Sequence, residues 1–345
     1  MSDIKGKALS FGGINTRDLA PQVENLTLKG GDGKIDATFS AVDAAYASLV
    51  KYYVVTANTH MPTGPNDGVS VMVMPGAGTL SCVLSGLTNG VVHHVRVFIR
   101  CTYGWQTSPV AYGVATPLAG IAISTLAVGG EVKLNLGGVA YNHLVVHQGN
   151  PDTALYDASC NGAWLLIKDI YNQIAWTTNG KGDYSLTTSL SYLNTTYFGL
   201  FDPNIQTSIK QIKIPYVAGN AKPGVVKFGE EGVSCRLFWL SAIEVGFNYN
   251  STDPMRDGAK LDYFDLTGNS VVSTKRIGLF NGTADLWNLR SGLQSLTGHW
   301  LISTTGTLNS SGLSSTARGS RPALILPPDF RLNPEPNPDG SYSPL

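Results

Sequence analysis

His143 and His147 stand four residues apart, the spacing at which two imidazoles on one helix face share a zinc ion. They fall in a segment that reads as strand, where positions i and i+4 are about 13 Å apart, so the reading is structural histidines. Asp253, Asp257, Asp262 and Asp265 gather around Gly258. Their spacing is not that of an EF-hand, which leaves a solvated loop or, through Asp253, Asp257 and Asp262, a weak Ca²⁺ site. Glu230 and Glu231 are adjacent, so on a strand they would face opposite ways, a poor arrangement for paired acid–base catalysis. Cys82, Cys101, Cys160 and Cys235 form no CxxC pair and read as small buried hydrophobes. GxSxG, a Walker lysine loop, HExxH and a complete GxGxxG are all missing. Gly76-Ala77-Gly78 lacks the third glycine and reads as a hairpin turn. The expectation is a protein with no catalytic residues and no cofactor.

The elements that hold these residues belong to a weakly charged, β-leaning chain. Of 345 residues, 24 are Lys or Arg and 24 are Asp or Glu, only 14% charged in all, against roughly 25% in an ordinary globular protein. Balanced charge removes the electrostatic footprint of a nucleic-acid binder. Length predicts two or three domains. Residues 1–20 have no apolar run long enough for an export signal, and no later stretch approaches a membrane span, so no membrane insertion is expected. The Asn-x-Ser/Thr sequons at Asn25, Asn194, Asn250 and Asn281 then read as accidents of a Thr-rich composition.

Short alternating strands with turn signals over residues 21–117, behind an N-terminal arm of residues 1–20, predict an all-β immunoglobulin-like sandwich. Ile35, Ala37 and Phe39 alternate with polar neighbours, and Val95, Val97, Ile99 and Cys101 share one face. Val23–Leu28, Tyr52–Thr56 and Val69–Met74 are further strands. The words Ser85-Gly86-Leu87-Thr88-Asn89-Gly90 with His93-His94-Val95-Arg96-Val97, and Thr102-Tyr103-Gly104-Trp105 with Ser108-Pro109, resemble fibronectin type III domains. In that family a tyrosine closes the corner that His93 occupies here, which makes His93 a corner residue and His94 its solvent-facing neighbour.

After the junction Pro117-Leu118-Ala119-Gly120, residues 118–330 predict an α+β domain. A hairpin runs from Glu131 to Val146 around Gly137-Gly138, and Trp164–Ile170 reads as a buried central strand. Leu190, Leu193, Tyr197 and Leu200 recur at helical spacing, and a second short helix starts at Asp202 with Pro203 in its first turn. Residues 331–345 are Pro-rich and read as an extended tail. Phe238-Trp239-Leu240-Ser241-Ala242-Ile243-Glu244-Val245 carries Ser three before Glu, a capping pattern. With Trp287-Asn288-Leu289-Arg290-Ser291-Gly292 and Gly319-Ser320-Arg321-Pro322-Ala323-Leu324 it resembles an uncharacterised domain family of gut phages and bacteria, with hallmarks FLLSxxEV, WWLRSP and GVRPALxLP. In this chain Asn288, Gly292 and Ser320 replace the second tryptophan, the proline and the valine.

That resemblance implies a distant relation to the C-type-lectin fold, in which late loops on a rigid sheet form a ligand face. The face would lie between residues 287 and 318 and use Trp287, Asn288, Gln294, His299, Trp300, Ser303, Thr304 and Asn309, with core packing the alternative for Trp300. Arg290 and Arg321 would anchor the loops by bidentate hydrogen bonds. The expected function is a virion protein of a phage tail, fibre or baseplate that binds a host-surface glycan or protein without catalysis. It would be released by lysis, contact other virion proteins and oligomerise, a trimer by analogy. A head fibre or capsid decoration protein is the first alternative and an envelope-glycan-degrading enzyme the second.

Overall fold

The computed structural model describes residues 23–106, 111–178, 183–218, 225–248, 256–265, 274–293, 298–311 and 315–345. The chain divides into two compact units, Met1–Gly120 and Ile121–Pro344. Both are built on β-sheets.

In the first unit a three-stranded antiparallel sheet runs Thr27–Gly31, Lys34–Ser40, Thr79–Ser85. A larger sheet runs Val69–Val73, Val50–Asn58, His93–Cys101, which pairs in turn with Gly104–Trp105 and Ala111–Ala115. Alternation decides which side chains meet. Ile35, Ala37, Phe39 and Leu84 from one sheet and Tyr53, Val55, Val95, Val97 and Ile99 from the other are buried in one core. Phe39 packs edge-on against Tyr53 at 5.3 Å, and Tyr53 Oη accepts from the Val42 amide at 3.2 Å. His93 is buried with Nδ1 2.8 Å from the Val91 carbonyl, and His94 Nδ1 lies 2.7 Å from Tyr112 Oη. The first strand starts later than its residue types suggest, because Asn25 takes φ +55° and breaks the extended run. Gly76-Ala77-Gly78 closes no hairpin. The strands on either side of it pair into different sheets, so it carries the chain between them.

The second unit holds two five-stranded sheets. One runs Glu131–Leu136, Val139–Gly149, Gly162–Ile167, Ala323–Leu326, Leu237–Phe238, all antiparallel. Its first hairpin turns on Gly137 (φ +60°) and Gly138 (φ +81°), the two left-handed positions a tight hairpin needs. Every residue of Gly162–Ile167 is buried, as a central strand requires. The other sheet runs Asn172–Ala175, Ala317–Ser320, Trp287–Gly292, His299–Ile302, Leu308–Ser311.

Thr187 caps a helical stretch by accepting from the Leu190 amide; Leu190, Leu193 and Tyr197 pack into the core. Asn194, a sequon residue, is spent holding the next sheet strand: its Oδ1 accepts from Leu237 N and its Nδ2 donates to Leu237 O. A second helix, Pro203–Ser208, begins at Asp202. The Pro-rich segment after residue 330 is tied into this unit. Arg331–Leu332 pairs with Ile121–Ala122, Leu332 and Ser341 are buried, and the Lys133 amide donates to Tyr342 O at 2.8 Å. No helix among the described residues is long and apolar enough to cross a membrane.

Candidate functional site

The words that carry the family resemblance come together in the second unit as two buried polar networks. Ser241 and Glu244 form a reciprocal cap on the turn after Leu237–Phe238: the Glu244 amide donates to Ser241 Oγ (3.1 Å) and the Ser241 amide to Glu244 Oε2 (2.9 Å). Arg290 meets the same carboxylate with both Nη atoms, at 2.5 and 2.6 Å, and both side chains are wholly buried. The remaining guanidinium hydrogens go to the carbonyls of Trp239, Pro215 and Asp257. Tyr156 Oη donates to Glu244 Oε1 at 2.6 Å and accepts from the Ala259 amide. Ser291 Oγ accepts from Ala242 N and donates to the Asp257 carboxylate.

Burial works against the charge on Arg290, but Glu244 outweighs it and holds the guanidinium charged. Burial pushes the Asp257 carboxyl up to about 6, against the pull of Arg290 and Ser291. Such a cluster, with every donor satisfied, specifies how its surroundings pack.

Arg321 centres the second network. Its guanidinium donates to the carbonyls of Lys168 (2.6 Å), Ile167 (3.3 Å) and Arg276 (3.4 Å) and stands 4.7 Å over the Trp287 ring. Trp287 Nε1 donates to Arg276 O at 2.8 Å. Burial lowers the Arg321 pKa to about 10. Ser320 Oγ accepts from Trp239 Nε1 at 3.0 Å, a role no valine can take. A Cβ at Gly319 would stand 2.5 Å from the Leu286 carbonyl, so only glycine fits there.

Three residues expected on a ligand-binding surface are therefore corrected. Trp287, Asn288 and His299 lie on strands and are fully buried. Asn288 donates to the carbonyls of Ile174 and Arg318, which turns its Oδ1 toward His299 Nε2 at 2.7 Å. His299 stacks on Trp176 with ring centroids 5.3 Å apart and planes 11° apart, and Trp176 Nε1 donates to Leu289 O. Burial, then the nearby Arg318 charge, depresses the His299 pKa to about 3, so the ring is neutral. Tyr156 and Asp257 belong to the Arg290 network and Trp176 stacks on His299, partnerships that no sequence motif announces. Only long-range pairing joins them, across a separation of 113 residues from Trp176 to Leu289.

The other expected surface residues divide. Trp300 is half-buried opposite Ser310. Thr304 and Asn309 are exposed, and Gln294 lies outside the described residues. Ser303 begins a tight turn in which its amide donates to Thr307 O at 2.8 Å and Gly306 takes φ +76°. The hydroxyls of Ser303, Thr305 and Thr307 lie within 2.6 to 3.4 Å of one another. The turn leads into the edge strand Leu308–Ser311, where Asn309 and Ser310 are exposed. This hydroxyl- and amide-bearing edge is the candidate recognition face.

The metal candidates do not converge. His143 is buried with Nδ1 2.9 Å from Tyr141 O, and burial lowers its pKa to about 4. A register shift interrupts the strand between Val145 and His147, and His147 Nδ1 lies 2.8 Å from Asp262 Oδ2. Asp257 belongs to the Arg290 network, and Asp253 lies outside the described residues. No three His, Cys, Asp or Glu side chains among the described residues are grouped to hold a metal ion. Glu231 pairs with Lys227 at 2.9 Å. A cleft of about 360 Å³ is lined by Leu155, Phe228, Ile243 and Gly258.

Comparisons place the chain only coarsely. A solved structure titled "Titin kinase and its flanking domains" aligns with 67% of this chain and 41% of its own at 9% identity. Its TM-score of 0.21 is too low to bear on fold. No curated protein matches. Residues 161–328, which contain the Arg321 network, the Arg290 network apart from Tyr156, and the hydroxyl-bearing edge, match a family model described as a domain of unknown function, so the chain carries a DUF6273 domain.

Proposed function

We propose that the chain is a non-catalytic recognition protein of a phage particle, whose second unit binds a host-surface glycan or protein through the Ser303–Ser310 hairpin. One observation carries the reading. The polar side chains of the family words are consumed inside the fold, while a run of unburied hydroxyl and amide groups is left on a rigid sheet edge. Recognition surfaces use this division, with Ser, Thr and Asn as adaptable hydrogen-bonding groups on a fixed support.

A C-type-lectin-like scaffold for the second unit rests on the resemblance of its three sequence words. A fibronectin type III-like first unit, acting as spacer or docking module, is supported further by strand order. Its first, second and fifth strands form one sheet, and its third, fourth and sixth strands lie in the other with the last strand, Ala111–Ala115. Placement on a tail fibre or baseplate would multiply a weak single contact over many copies.

The test is adhesion of the purified full chain to host cells and its ability to block phage adsorption, with release of reducing sugar from the envelope assayed in parallel. Saturable adhesion to a susceptible strain with no sugar release is the expected result. Absence of adhesion to every susceptible strain, or steady release of sugar, overturns the reading.

A further inference from the structure

We infer that the outer face of the larger sheet in the first unit carries a separate site for acidic sugars, built on Tyr52, Arg100 and Trp105. Arg100 is paired in register with Tyr52 on one neighbouring strand and Trp105 on the other, so the three stand in one row across the sheet. The flanking residues Tyr53, Ile99 and Cys101 are buried in the core, which sends this row outward. Trp105 meets Tyr52 edge-on at 5.8 Å, and the Arg100 guanidinium lies 5.4 Å from the Trp105 ring centre. The rings are thus held in place before any ligand arrives, which lowers the ordering cost of binding.

What the row does not do points to its ligand. Among the described residues the Arg100 guanidinium makes no hydrogen bond and no ion pair; its only contact of note is the Trp105 ring. This contrasts with Arg290, Arg321 and Arg276, whose guanidinium groups donate to partners inside the second unit. A register shift between Val50 and Tyr52 inserts Lys51, an exposed second cation, next to the row. None of the strands of this sheet contains Asp or Glu. Asp67, in the loop before Val69, is occupied by Thr63 and His60.

An open guanidinium fork without a competing carboxylate selects a carboxylate ligand. The half-buried indole and phenol rings beside it suit a ligand with a flat C–H face and hydroxyls. A sugar acid has all three features; an acidic peptide has only the first.

The experiment is affinity electrophoresis of the full chain through gels containing polygalacturonate, hyaluronate, neutral dextran or polyglutamate, with thermal unfolding to check each variant. Expected is retardation by at least one of the two carboxylated polysaccharides, at least tenfold stronger than by polyglutamate or dextran. Arg100→Met and Trp105→Ala should each weaken it tenfold or more at unchanged melting temperature. Asn309→Ala, in the second unit, should leave it intact, which separates this site from the hairpin. No retardation by either polysaccharide, equal retardation by polyglutamate or by dextran, or full retention in Arg100→Met overturns the inference.

Discussion

Along Trp287–Gly292, the polar residues Asn288, Arg290 and Ser291 are all buried and bonded within the chain. Two strands away in the same sheet, along Leu308–Ser311, Asn309 and Ser310 are exposed. Both strands are rich in hydrogen-bonding side chains, yet one spends them on internal order and the other leaves them to solvent. A polar motif inside a sheet is thus a folding instruction, because each buried donor or acceptor left unmatched is costly. A polar edge carries no such obligation and is free to vary.

Breaking the Glu244–Arg290 pair should give the largest effect. Arg290→Met leaves the Glu244 carboxylate buried without its cation and should cost about 3–5 kcal/mol in denaturant unfolding. Asp257 comes next. Its folded-state pKa, about 6, lies above its ordinary value of 3.8. The stability it contributes is therefore present below about pH 4 and lost as pH rises through 6. Asp257→Asn should remove that loss, worth about 2 kcal/mol between pH 4 and 7. His143 and His299, held neutral by burial, act in the opposite sense, contributing stability that is lost as pH falls below about 6.5. The difference between variant and wild type, rather than either profile alone, isolates the acid. Gly319→Ala forces a methyl against the Leu286 carbonyl and should cost about 1–3 kcal/mol by thermal unfolding. At the edge, Thr304→Ala and Asn309→Ala should shift stability by no more than about 0.5 kcal/mol.

Local pattern made some of this legible. The period-two alternation of Ile35, Ala37 and Phe39, the unbroken apolar run at Trp164, the paired glycines at 137–138 and the Ser241–Glu244 cap each answer to a rule that acts over a few residues. Expectation and structure parted where the deciding contact is distant. Nothing near Asn288 announces the Ile174 and Arg318 carbonyls that bind it, 114 and 30 residues away, so the resemblance to a late-loop ligand face placed it at the surface. His299 is expected on the ligand face, yet stacking on Trp176 makes it core. The Pro-rich end looked loose because proline cannot donate to a ladder, but Arg331, Leu332 and Tyr342 supply main-chain bonds between the prolines.

The proposed function assigns folding of the second unit to its polar interior and recognition to its exposed edge. The most direct measurement compares cell adhesion and melting temperature for the double variant Thr304→Ala, Asn309→Ala against wild type. The account predicts at least a tenfold loss of adhesion with the melting temperature unchanged. Full adhesion by a folded double variant would contradict it.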